Sequence, residues 1–244
     1  MNDISNLCIL FIGQMRTYNN DIIINSYNKY LSNYGNIDIY IHTWDNRGSS
    51  NRHGKNDSNI KEVDTITENI ISEHYNKFKF FTIKKIVIDR FEHFYNTLDD
   101  ELVRIYNTSF LTHSTKTTSV PIQYKYQRAA NILTRVNNNY SRVIVLRPDF
   151  AFYDYLPISL NDDTNTIYFQ HIAQDSGCMD HCWFSSQQTI IKQLINIFDN
   201  YKSNIKSIQN RCNNKLLFYQ CLINNINIKV YRKNLVKQIF YNDI

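Results

Sequence analysis

The stretch LCILFIG, Leu7 to Gly13, is a short uninterrupted apolar run closed by a glycine. Alternation of apolar and polar residues would mark a strand with one wet face. A continuous run this short instead marks a strand buried on both faces, and that requires helices above and below a sheet. IDIYIHTW (Ile37 to Trp44) is a second such run, rich in β-branched and aromatic residues. Further strands are expected at KKIVIDRF (Lys84 to Phe91), VIVLRPDF (Val143 to Phe150), TIYFQHI (Thr166 to Ile172), HCWFSS (His181 to Ser186) and NIKVYRK (Asn227 to Lys233).

Helical spacing fills the gaps, around Ile22 to Leu31, Val63 to Phe78, Gln187 to Tyr201 and Lys215 to Asn224. Pro121 opens PIQYKYQRAANILTRV, placed in the first turn of a helix where its missing N–H does no harm. Glu92 to Thr118 has no clear assignment. Strands alternating with helices imply right-handed crossovers and a mostly parallel central sheet over the first half. The later strands have few helices between them, which implies a mixed or antiparallel C-terminal part. At 244 residues, with neither linker nor internal repeat, the chain reads as a single α/β domain over residues 1–244. The polar segment DNRGSSNRHGKNDSN (Asp45 to Asn59) reads as a loop, or as a lid if it borders a site.

Composition narrows the function. A hydrophobic content of 43% and a charged content of 20% are those of a soluble globular protein. The net charge of +5 suits an anionic small ligand, and its spread along the chain argues against a nucleic-acid partner. Five cysteines (Cys8, Cys178, Cys182, Cys212 and Cys221) are odd in number and irregular in spacing, so a disulfide framework is not expected. No run approaches a transmembrane segment, and the N-terminal run lacks a basic leader, so the expected location is cytoplasmic. CMDHC, Cys178 to Cys182 around His181, has zinc-type donors but no second cysteine pair, and reads as structural thiols. GQMRTY is neither a dinucleotide nor a Walker loop, and HExxH and G-x-S-x-G are absent.

In an open α/β sheet the ligand lies beyond the carboxyl ends of the strands. Those ends read GQMRTY (Gly13 to Tyr18), HTWD (His42 to Asp45), RPDF (Arg147 to Phe150) and QHI followed by AQDSGCMDHCW (Ala173 to Trp183). Arg16 and Arg147 suit phosphate oxygens, because a guanidinium donates two bonds at once. Asp45 and Asp149 suit hydroxyls or a metal. Simpler roles stand beside these: an Arg147–Asp149 ion pair, an Arg16 cap on a carbonyl, a satisfied His42, and core positions for Trp44 and Trp183.

G-Q-x-R after the first strand, H-T-W at the end of the second, a helix starting near P-x-Q-Y and V-x-R-P-D-F after the fourth resemble one family. It comprises small polysaccharide- and lipopolysaccharide-type glycosyltransferases of bacteria and large DNA viruses, with a GT-A-like, Rossmann-like fold. The resemblance runs in patches from Leu7 to Phe184. It implies a nucleotide-binding half at about 1–150 and an acceptor and catalytic half at about 151–244. It also implies a nucleoside-diphosphate sugar donor and a glycan or lipid-linked acceptor. Gln14, Arg16, Tyr18, Trp44 and Asp45 are then expected near the nucleotide, flanked by Gln123, Tyr124 and Gln127 on their helix. Asp149 takes the last position of the Asp-x-Asp motif that holds a divalent metal, Mn²⁺ or Mg²⁺. Arg147 stands where the first aspartate belongs, and a guanidinium opposes a hard cation. Either Asp149, with His171 or Asp180, keeps a metal on the diphosphate, or Arg147 replaces it. Asp180 is the expected catalytic base, with Asp175 and His171 in reserve. The alternatives are an inactive nucleotide- or glycan-binding module of the same fold and a basic nucleic-acid-binding protein.

Overall fold

A computed structural model describes residues 6–46, 65–107, 119–156, 164–170, 172–173, 177–178, 181–207, 213–231 and 236–238. The chain opens with β1 (Leu7–Ile12), α1 (Asp21–Tyr30), β2 (Ile37–Trp44), α2 (Glu68–Tyr75) and β3 (Phe81–Asp89). It continues through α3 (Phe91–Asn96), α4 (Asp100–Asn107), α5 (Ser119–Leu133), β4 (Arg142–Leu146) and β5 (Phe150–Phe152). Then come β6 (Thr166–Phe169), β7 (Ile172–Ala173), β8 (Gly177–Cys178), β9 (Cys182–Ser185) and α6 (Gln187–Leu194). The last elements are α7 (Tyr201–Ser207), α8 (Asn213–Ile223), β10 (Asn227–Val230) and β11 (Val236–Gln238).

Seven strands form the main sheet in the order β10–β6–β9–β4–β1–β2–β3. β4, β1, β2 and β3 are mutually parallel, as the alternation with helices predicts. β9 runs antiparallel to both β4 and β6, which makes the C-terminal part mixed. Successive residues of β1 explain its uninterrupted apolarity. Leu7, Ile9 and Phe11 pack with Ile23 and Tyr27 of α1 and Ile71 and Tyr75 of α2. Cys8, Leu10 and Ile12 pack on the other face with Tyr126, Ala129, Ala130 and Leu133 of α5. Both faces are covered, so neither alternates with polar residues.

The helix starts follow their caps. Asn20 Oδ1 accepts from the Ile22 amide at 2.8 Å, Thr67 Oγ1 from Ile70 at 3.3 Å, and Ser186 Oγ from Thr189 at 3.3 Å. Several expectations change, and the helix expected over Gln187 to Tyr201 ends at Leu194, with α7 opening at Tyr201. VIVLRPDF is not one strand, since β4 stops at Leu146 and β5 starts at Phe150. Proline donates no ladder bond, so the pairing that the Arg147 amide still makes to the His181 carbonyl stops at Pro148. The unassigned stretch after Glu92 holds α4 and most of α3. Among the described residues no helix is long and apolar enough to cross a membrane.

The order of the strands creates the crevice. From β1 the chain winds through β2 to β3 on one side, then returns to place β4 on the other side of β1. The strand order reverses at the β1–β4 boundary: α1, which follows β1, packs on one face of the sheet and α5, which leads into β4, packs on the other, and this class of sheet binds ligands at such a reversal.

Candidate functional site

Residues from three adjacent strand ends form one belt of hydrogen bonds and ion pairs across that boundary. Asn46, just past β2, accepts from Gln14 Nε2 at 3.4 Å. Gln14 Oε1 accepts from Arg16 Nε at 3.1 Å and Nη2 at 2.9 Å. Arg16 Nη1 lies 3.6 Å from Asp149 Oδ2. Arg147 donates to the same carboxylate in the two-bond fork, Nε to Oδ1 at 3.1 Å and Nη2 to Oδ2 at 2.8 Å.

Local backbone geometry makes the belt possible. Gly13 turns the chain off β1 at φ 126°, a region L side chains rarely adopt, and its N–H bonds the His42 carbonyl at 3.2 Å. The Arg147 amide bonds the His181 carbonyl at 3.2 Å, so the start of β9 fixes the end of β4. The Arg147 guanidinium stands 5.0 Å from the centroid of Phe150, whose ring faces His181 at 4.5 Å.

Exposure separates the charges. The Asp149 side chain is 1% exposed, whereas Arg16 is 23% and Arg147 20% exposed. Burial alone would raise the Asp149 pKa, but the Arg147 and Arg16 guanidiniums outweigh it and hold the group below the usual carboxylate value. The two guanidiniums form the exposed side of the group and the carboxylate lies beneath them. A divalent cation does not fit this arrangement at Asp149, because both carboxylate oxygens face a guanidinium. The metal expectation also names His171, which lies outside the described residues, as do the expected base Asp180 and its reserve Asp175.

Several other expected ligand contacts are buried. Tyr18 is 5% exposed with its ring edge-on to His74, and Trp44 is 3% exposed and stacked on Tyr124 at 5.9 Å. Gln123 is wholly buried. These three stand beneath the surface. Gln127 Oε1 accepts from the Phe198 and Asp199 amides at 2.9 and 3.0 Å, which ties α5 to the segment after α6. Asp45 Oδ1 accepts from the Phe91 amide at 3.2 Å and fastens the end of β2 to the start of α3.

A buried charge cluster under the β2 and β3 ends was not foreseen. Lys125 of α5 is wholly buried, with Nζ 3.0 Å from Asp89 Oδ2, bonded to the Thr43 carbonyl and 3.7 Å from the centroid of Trp44. His42 Nε2 lies 2.7 Å from the same Asp89 oxygen, and its Nδ1 lies 3.2 Å from the Lys125 carbonyl. Burial lowers His42 to about 4 and Lys125 to about 7. Burial works against Asp89 too, but His42 and Lys125 prevail and hold it well below the ordinary carboxylate range. The satisfied histidine expected at His42 is found, with a lysine and an aspartate as its company.

Comparison with solved structures bears on the fold. The chain superposes on the crystal structure of the glycosyltransferase GlyE from Streptococcus pneumoniae TIGR4 with a TM-score of 0.51. The fold is GT-A-like. Identity over that match is 9%, and it covers 93% of this chain but 46% of the GlyE chain, so the likeness concerns fold alone. No protein-family profile and no curated protein match the sequence. In this GT-A-like sheet the belt from Asn46 to Arg147 occupies the crevice at the carboxyl ends of β2, β1 and β4.

Proposed function

We propose that this chain is a glycosyltransferase that moves a sugar from a nucleoside-diphosphate donor to a glycan or lipid-linked acceptor in a cytoplasmic setting. The observation that carries the reading is the pair of partly exposed guanidiniums, Arg16 and Arg147, held side by side on Asp149 at the β1–β4 crevice. Residues 1–150 supply the donor side and residues 151–244 the acceptor side. In the transfer the acceptor oxygen bonds to the anomeric carbon as the bond from that carbon to the diphosphate breaks. The electron pair leaves on the diphosphate, where fixed positive charge counts most. The acceptor proton passes to a base, for which Asp180 remains our assignment, on its place in the sequence beside His181.

The test is binding followed by turnover. UDP-, GDP- and dTDP-sugars are screened by thermal shift, and each donor that binds is assayed for nucleoside diphosphate release with and without glycan acceptors. A stabilising donor that is also consumed supports the reading. The departure from Asp-x-Asp at Arg147 favours one rival, a binding module without chemistry. Stabilisation by donors that are never consumed would select that rival, and no response to any nucleotide would reject both.

A further inference from the structure

A donor diphosphate brings several negative charges to the strand ends, and positive charge there must meet them. Resting on the donor site proposed above, we infer that this chain binds its nucleoside diphosphate without a divalent cation. Arg16 and Arg147 take the cation's place, and Asp149 is the buried counter-charge that holds them.

The geometry favours this over metal binding on three grounds. First, Asp149 gives one oxygen to Arg147 Nε and the other to Arg147 Nη2, with Arg16 Nη1 3.6 Å away. A cation on that carboxylate would sit against two guanidiniums, and like charges at such range oppose each other. Second, the exposed groups are the cations and the buried one is the anion, which is the polarity an anion receptor needs. Third, both arginines are held before a ligand binds. Gln14 grips Arg16 with two bonds and is itself held by Asn46, while Asp149 and the Phe150 ring fix Arg147. Donors fixed in advance cost no ordering at the moment of binding. Asp149 is therefore a positioning residue, acting on a ligand through its arginines.

Calorimetric titration of the full chain with UDP, GDP and dTDP, once in EDTA and once in excess MnCl₂, tests this directly. The dissociation constant of the preferred nucleotide is expected to agree within about threefold between the two conditions. Arg147→Gln and Arg16→Gln should each weaken binding in EDTA by about tenfold or more, with no recovery in Mn²⁺. Arg147→Lys keeps the charge without the fork and should fall between wild type and Arg147→Gln. The wild-type comparison needs no variant to fold, and circular dichroism checks those that are made. Binding that appears only with Mn²⁺ would overturn the inference and leave the donor reading standing. So would a protein-bound Mn²⁺ resonance that Asp149→Asn abolishes. No binding in either condition would overturn both.

Discussion

Asp149 is the residue on which the fold's stability and its site depend together. Its carboxylate is buried between two guanidiniums, so removing it takes away a counter-charge that both of them share. Asp149→Ala should cost about 3–5 kcal/mol in urea unfolding at neutral pH. The sign with pH follows from its depressed pKa. The folded state holds this proton less tightly than the unfolded one, so the stability is complete above the ordinary value of 3.8 and drains away as pH falls below it. The variant should lose that part of the acid limb, and equal acid slopes in both proteins would reject the assignment. Gly13→Ala tests the turn beside it. The added methyl group meets Arg147 and Pro148 only at ordinary contact distances, so the cost, about 1–2 kcal/mol, comes from the φ of 126° alone. The charges at these strand ends were legible because an apolar run that stops at Arg147 and Asp149 announces them. Which of them a ligand meets was not, since exposure is a tertiary property.

Helix α5 shows what an element's sequence hides. Its length and the proline in its first turn were readable, although it opens at Ser119, two residues before Pro121, and its apolar spacing points at the sheet. Lys125 among those residues gives no sign that it is buried, because its compensation comes from Asp89 on another element. The same limit applies to Gln127, whose partners lie beyond α6. Elements themselves were lost where they were short, as with the two-residue strands β7 and β8. Such pieces carry too few residues for any period to show. The Lys125 cluster makes an element-level prediction. Asp89→Asn removes the carboxylate that both Lys125 and His42 share and should destabilise by about 3–5 kcal/mol, whereas Lys125→Met keeps His42 against Asp89 and should cost less. The pH dependence separates them further. Lys125 is depressed from 10.5 to about 7, so the unfolded chain binds its proton more tightly between those values. Its contribution to stability therefore rises with pH across that window. Chemical denaturation from pH 7 to 10 should show this rise in wild type and lose it in Lys125→Met; an unchanged slope would place Lys125 elsewhere in the titration.

Across the whole molecule, the sheet brings distant segments to one edge, and this was readable only in outline. Buried strands alternating with helices announced a mostly parallel sheet, but not that β1 would be flanked by β2 and β4. Nor did the sequence announce β11, three residues that pair with β5 and place Gln238 opposite Phe150, one residue past Asp149. Val236 of that strand is buried in the same core cluster as Phe150 and Phe152, and its carbonyl accepts from Gln170 Nε2 at 3.2 Å. The turn that presents Arg147 is thus braced from the far end of the chain. Val236→Ala should lower stability by about 1–3 kcal/mol through lost packing, and should also weaken nucleotide binding as the brace loosens. Ile190→Val is the control, since Ile190 packs in the cluster on the opposite face of the sheet, with no part in the brace. If the two variants, compared at temperatures where both are fully folded, bind nucleotide equally well, the brace has no bearing on the site. A weaker dissociation constant confined to Val236→Ala would show that the position of Arg147 is set by the closing strand as well as by its own.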